Sequence, residues 1–510
     1  MMTAETSQQP VIDFLEDPAT HGGAPVKRID THAASVFLAG DRALKVKRAV
    51  RFPFLDFSTL EKRKAACDAE IAVNRAYAPG IYRRVTPITC ETDGSLLIGG
   101  KGEPVEWAIE MRRFDDSQTL DHLADRRRIS ETLADELGQV VAAAHRLAPA
   151  MNDAHFSDVL AQIIAQNESE LACEPNLCSL QGLRAFAAAT RNAFERVKPM
   201  LIVRERAGLV RRCHGDLHLG NIVLIDNKPV LFDAIEFDER IAIGDVLYDL
   251  AFLLMDLIER DLTPAANMVL NRYLLETRRV HDLDALSALP LFMSVRAAIR
   301  AKVTAARRRQ NGQPAKAGRA ARDYAALAPK LLEPIKPQLI AIGGLSGTGK
   351  SLLARALAPG VPPLPGAVVL RSDIERKVLF GVGENERLPQ SAYAPDTTAK
   401  VYAALSTKAH RVTAAGHSAI VDAVFAQPNE RAEIAKAAGT TAFQGLFLTA
   451  DLEARVSRIG NRTGDASDAD ASVARQQDQF DLGRITWSKV DASGTPNDTF
   501  IRSTAMIGRR

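Results

Sequence analysis

The alternation of apolar and polar residues changes character along the chain. From about Val26 to Pro87 short β-like runs dominate, such as Ser35-Val36-Phe37-Leu38-Ala39 and Ala43-Leu44-Lys45-Val46, interrupted by a helical stretch from roughly Thr59 to Tyr77. Glu106-Trp107-Ala108-Ile109-Glu110-Met111 alternates as a strand does, then breaks into Arg112-Arg113. Residues 118–205 predict helices, with Leu133, Leu137, Val140, Val141 and Ala144 at three- and four-residue spacing. The short strands Ile222–Ile225 and Val230–Phe232 flank the turn Asp226-Asn227-Lys228-Pro229, and helices resume to about Leu332. Pro334 and Pro337 punctuate the chain, and the apolar strand Leu339-Ile340-Ala341-Ile342 begins directly after them.

This pattern predicts a polar, disordered segment over residues 1–25, a first domain over 26–332, a linker over 333–337 and a second domain over 338–510. Composition agrees with large folded domains: 46% of the 510 residues are hydrophobic and 25% charged. Lys plus Arg (65) against Asp plus Glu (62) leaves +3, which argues against a protein that coats nucleic acid generally. The positive charge is local. Lys302, Arg307, Arg308, Arg309, Lys316, Arg319 and Arg322 run without an intervening acid, as a solvated helix face or helix-to-linker segment, or as an anion- or nucleic-acid-facing patch. The five cysteines (Cys67, Cys90, Cys173, Cys178 and Cys213) form no C-x-x-C pair, which fits a reducing compartment and excludes a disulfide scaffold or zinc ribbon. The opening residues lack a basic start followed by an apolar run, and no stretch reaches the ~18 apolar residues of a membrane span. A soluble cytoplasmic enzyme is expected.

Gly344-Leu345-Ser346-Gly347-Thr348-Gly349-Lys350-Ser351 fits G-x-x-x-x-G-K-[ST] between a strand and the helical run Leu352–Leu357. Glycines let successive N–H groups curl around phosphate oxygens, Lys350 neutralises them, and the Ser351 hydroxyl ligates Mg²⁺. The next strand ends in Arg371-Ser372-Asp373, where a carboxylate faces the ligand crevice of an open parallel sheet. Asp373 there takes an acceptor proton or helps hold Mg²⁺ through water, and Ser372 or Asp373 caps the following helix; the functional and capping roles are compatible. The strand Ala419-Ile420-Val421 ends in Asp422, a candidate metal-site acid or acceptor-binding group. After a fourth strand, Gly445–Leu448, the helix Leu452–Ile459 carries Arg455 and Arg458, with Arg462 beyond it. Arg458 and Arg462 sit one turn apart, as lid arginines over ATP or as ion pairs with the acidic run Asp465–Asp470. This region resembles the small P-loop kinases, the group that includes gluconate kinase, chloramphenicol phosphotransferase and the kinase part of polynucleotide kinase.

In the first domain His214-Gly215-Asp216-Leu217-His218-Leu219-Gly220-Asn221 precedes a hairpin that ends in Asp233. Asp216 at that position accepts or orients an acceptor hydroxyl's proton, while Asn221 and Asp233 converge on one metal. His214 is expected to hold the loop backbone. This stretch closely resembles the aminoglycoside phosphotransferase family, whose fold is related to protein kinases. The resemblance makes Asp216 the catalytic aspartate, Asn221 and Asp233 metal ligands, and Asp249 a buttress of the loop. It further implies a strand lysine, taken as Lys45 over Lys47, paired with a helix glutamate, taken as Glu70, and a hinge for adenine over Met111–Phe114. Asp233 is followed by Ala234-Ile235-Glu236 instead of Phe-Gly, and no glycine-rich G-x-G-x-x-G covers the phosphates, which speaks against protein-kinase activity.

Together these features resemble the bifunctional aminoglycoside phosphotransferase/ATP-binding protein family. The implied fold is an α+β bilobal kinase-like domain followed by an α/β P-loop domain with a parallel sheet. The expected activity is ATP- and Mg²⁺-dependent transfer to a small-molecule hydroxyl. The alternatives are a nucleotide-responsive regulator, and a nucleic-acid 5′-hydroxyl kinase in the second domain.

Overall fold

The computed structural model describes residues 8–31, 33–52, 55–174, 176–311, 315–461 and 466–507, without the side chains of 307–317. The chain divides into two compact units: Met1–Leu160 with Ile202–Asp256, and Ala161–Leu201 with Leu257–Arg510.

The first unit is built on a six-stranded antiparallel sheet. Its spatial order is Val26–Asp30, Ala34–Ala39, Arg42–Lys47, Glu103–Arg112, Tyr82–Cys90, Leu96–Ile98. Side chains alternate faces along a strand, so Lys45 and Lys47 project to the same side. The helix Leu60–Tyr77, capped by the Thr59 hydroxyl, packs Cys67 and Ile71 against Ile81, Tyr82 and Ile109. That leaves Glu70 and Asn74, one turn apart, both fully buried. The opening segment expected to be disordered is instead ordered from Gln8. It forms a helix over Gln9–Glu16 whose Val11 and Leu15, one turn apart, bury against Phe37, Leu44 and Val46. Its Val-Ile-x-Phe-Leu pattern supplies enough apolar surface to offset the entropy of ordering a terminus.

The second unit centres on a five-stranded, all-parallel sheet in the order Val368–Arg371, Ala419–Asp422, Gln338–Gly344, Ala442–Thr449, Ser488–Asp491. The last strand was not foreseen. Ile340, Ile342, Ile420, Leu446 and Val490 form the core with Leu353 and Leu357 of the helix Lys350–Leu357. Parallel strands place all their C-terminal ends on one edge, so Ser351, Asp373 and Asp422 gather there. The helices Thr263–Thr277, Leu289–Asn311 and Ala315–Lys330 belong to this same unit. One unit is thus α+β and the other α/β with a parallel sheet, and the second takes in Ala161–Leu201 and the helices from Leu257 to Lys330, which lie within the 26–332 domain expected from sequence. No helix among the described residues is long and apolar enough to cross a membrane.

Candidate functional site

In the first unit the Lys45 ammonium lies 2.8 Å from Glu70 Oε1 and 2.7 Å from Asp233 Oδ1. Lys47 also reaches Glu70, at 2.5 Å from Oε2, and lies 2.5 Å from Glu236 Oε1. Both lysines therefore share one buried glutamate. Burial works against the Lys45 charge, but Asp233 and Glu70 overcome it and hold its pKa well above the ordinary value. Burial also opposes ionisation of Glu70 and Asp233, yet the lysines hold both below the usual carboxylate range. Glu236 ends on the other side of the balance, with burial raising its pKa despite Lys47.

Asp233 sits at a φ of 61°, in the left-handed region that a non-glycine residue enters only when its surroundings fix it. Those surroundings are specific. The Asp233 N–H donates to Tyr82 Oη, and the Asn74 amide grips Ala234 at both its N–H (2.7 Å) and its carbonyl (3.1 Å). Asn74 was not singled out from sequence, although its place four residues after Glu70 puts it on the same helix face.

Asp216 Oδ2 accepts from Asn221 Nδ2 at 3.1 Å and lies 3.4 Å from His218 Nε2. Asp249 accepts from the backbone N–H of His214 (3.2 Å) and of Gly215 (2.9 Å), which is the buttress the family resemblance implies, and pairs with His145. His214 bonds the Phe232 carbonyl at 2.9 Å, and burial lowers its pKa. At the expected hinge, Phe114 meets Phe232 edge to face at 5.0 Å.

In the second unit Ser351 Oγ donates to Asp422 Oδ2 at 2.5 Å. Ile342 and Asp422 lie opposite each other on adjacent parallel strands, so the loop after one strand meets the tip of the next. Arg371 also joins them, 3.1 Å from Ser351 Oγ and 3.4 Å from Asp422 Oδ2. Asp373 opens the helix Ser372–Phe380, and burial together with the Asp422 charge raises its pKa. Lys350 Nζ donates to the Leu345 carbonyl at 3.2 Å.

Gly344, Gly347 and Gly349 all have positive φ, and a Cβ on Gly347 would stand 2.6 Å from the Arg455 carbonyl oxygen. Arg455 itself is buried, and donates to Ser346 O, Ala474 O and Asp478. It braces the loop from behind. Gln477 accepts the Ser346 N–H, and Thr348 Oγ1 donates to the Leu345 carbonyl. Arg458 donates to the carbonyls of Ser493 and Gly494, while Arg462 lies outside the described residues. Arg376, unmarked in the sequence reading, bonds the Ala392 carbonyl and stacks 4.7 Å over Tyr393. One cavity of about 1880 Å³ joins the loop to Asp373, Tyr393, Tyr402 and Glu430. A single ligand typically fills ~300–1,000 Å³, so the cavity has room for more than one.

The family described as the phosphotransferase enzyme family matches residues 64–287, and the AAA domain family matches residues 339–482. Uncharacterized proteins of Mycobacterium tuberculosis and Mycobacterium bovis are 31% identical over 479 residues, 91% of this chain and 92% of theirs. A choline/ethanolamine kinase family protein from Mesorhizobium loti covers 64% of this chain and 95% of its own at 16% identity, with a TM-score of 0.40. A gluconokinase from Sinorhizobium meliloti covers 34% and 93% at 20% identity, with a TM-score of 0.26. The chain belongs to the family that joins an aminoglycoside phosphotransferase-like kinase domain to a P-loop kinase-like domain, and it is a phosphotransferase.

Proposed function

We propose that the chain is an ATP- and Mg²⁺-dependent kinase with two nucleotide sites, each passing a γ-phosphoryl group to the hydroxyl of a small molecule. The observation that carries this reading is the convergence of Lys45, Glu70 and Asp233, the first and last being 188 residues apart in sequence. Salt bridges between such distant positions do not arise from local pattern. They supply a phosphate-facing cation beside a metal-facing carboxylate.

Mg²⁺ would neutralise phosphate charge, and the oxygen donors it prefers are present: Asn221 and Asp233 in one unit, Ser351 and Asp422 in the other. Asp216, oriented by Asn221, takes the acceptor's proton in the first site. In the second, Asp373 has that role, and its raised proton affinity makes it a stronger base than an ordinary aspartate. Lys45 and Lys350 balance phosphate charge, and Arg458 and Arg462 are the candidate lid cations. Gly344, Ser346, Gly347, Thr348 and Gly349 supply the close backbone approach, with the Ser346 N–H exchanging Gln477 for phosphate.

The test is a [γ-³²P]ATP transfer screen over sugars, aminoglycosides, nucleosides and 5′-hydroxyl oligonucleotides, with wild type, Asp216→Asn and Lys350→Ala. Two separable activities are expected, each lost in one variant. Slow ATP hydrolysis with no labelled acceptor would reduce the reading to nucleotide binding.

A further inference from the structure

The strand Val368–Arg371 is an edge of the parallel sheet, with Ala419–Asp422 its one strand neighbour among the described residues. Successive N–H groups of a strand point to opposite sides. Val368 N–H points inward to the Ser418 carbonyl at 2.9 Å, so Val369 N–H points out of the sheet. An open edge of this kind leaves backbone groups to be satisfied by something other than a strand.

Here a helix satisfies them. Asn271 Oδ1 accepts the Val369 N–H at 2.7 Å, and its Nδ2 donates to the Ala367 carbonyl at 3.2 Å. Asn267, one turn earlier on the helix Thr263–Thr277 and 4% exposed, donates to the same carbonyl at 3.1 Å. The carboxamide thus stands in for the peptide group of a missing strand. The same helix reaches further along the chain: Arg272 lies 2.9 Å from Glu384, just beyond the helix that Asp373 opens. Asp284 receives both carboxylate contacts of Arg411, at 2.9 and 3.0 Å. All these residues lie in one compact unit.

The load this edge strand carries is chemical. Arg371 is its last residue and touches Ser351 and Asp422, and Asp373 follows two positions later. We infer that Asn271, with Asn267, is a positioning residue of the P-loop site: it fixes the strand along its axis and so sets Arg371 and Asp373 against Ser351 and Asp422. The inference rests on reading that pocket as a nucleotide site. It also makes the Thr263–Thr277 helix, which the phosphotransferase family match covers, a working part of the P-loop kinase.

The test compares the full-length chain with Asn271→Ala and Asn271→Asp. Hydrogen exchange at Val369 should be about tenfold faster in the alanine variant and intermediate in the aspartate variant, which keeps the acceptor for Val369 but loses the donor to the Ala367 carbonyl. Affinity for Mg²⁺·AMP-PNP at the site that Lys350→Ala removes should fall about tenfold in the alanine variant, with transfer at the Asp216 site unchanged. Unchanged exchange at Val369 overturns the clamp. Faster exchange with unchanged AMP-PNP affinity overturns the positioning role. If Lys350→Ala leaves wild-type nucleotide binding intact, the P-loop reading fails, and the positioning role with it, while the exchange result still decides the clamp.

Discussion

Lys47→Met tests the charge arrangement of the first site most directly. The Lys47 side chain is 4% exposed and its partners Glu70 and Glu236 are 0% and 6% exposed, so none of the three is relieved by water. Met fills nearly the same volume, so no cavity confuses the result. Glu70 keeps Lys45, but Glu236 loses the ammonium that lies 2.5 Å away. Breaking one side of a buried pair costs about 3–5 kcal/mol; with the Lys45 charge still acting on Glu236, the lower figure applies. At about 2–4 °C per kcal/mol for a unit of this size, the melting temperature should fall by about 6–12 °C.

The sign of the pH dependence follows from Glu236. Its folded pKa already lies above the unfolded value, and losing Lys47 raises it further. The folded variant then accommodates Glu236 best when it is protonated, so its deficit is small at low pH and grows as pH rises through the folded value. The double variant Lys47→Met/Glu236→Met removes both charges and should recover most of the loss. Differential scanning fluorimetry from pH 5 to 8 reads all three proteins. A loss below about 1 kcal/mol, a gap that does not widen with pH, or no recovery in the double variant refutes the pairing.

Other outcomes follow from the same structure. Asn74→Ala frees both backbone groups of Ala234 and should cost about 2–3 kcal/mol, with weaker Mg²⁺·AMP-PNP binding in the first unit measured by calorimetry. Gly347→Ala forces a methyl toward the Arg455 carbonyl at a φ of 86°, so P-loop nucleotide binding should be lost while Asp216-dependent transfer survives. Asp373 holds its proton to a higher pH than an ordinary aspartate, because of burial and Asp422. P-loop transfer should therefore decline on acidification earlier than an unperturbed carboxylate would dictate, and Asp422→Asn should move that limb to lower pH in residual-activity profiles.

The glycine-rich loop, the His214–Asn221 stretch and the spacing to Asp233 were legible because each is a short run whose chemistry depends on its own neighbours. The strands Arg42–Lys47 and Gln338–Gly344 were legible for the same reason: alternation and apolar continuity are local. The helix Gln9–Glu16 was obscured by the polar residues around its short apolar stripe, and the strand Ser488–Asp491 by having too few apolar residues to stand out.

What the sequence determined by itself was the inventory of candidate phosphate-binding and proton-accepting groups and the order in which the chain presents them. What only the tertiary structure decided was partnership. Lys45 and Lys47 lie two residues apart on one strand face, and nothing in their spacing tells which acid each one meets. The packing of the Leu60–Tyr77 helix brings Glu70 between them, and the backbone after Asp233 carries Glu236 to Lys47 across 189 residues. Asn271 is likewise an ordinary polar residue until the fold sets it against an open strand edge. Periodicity is fixed by bonds a few residues long, whereas a buried charge or amide finds its partner only when burial removes water as the alternative.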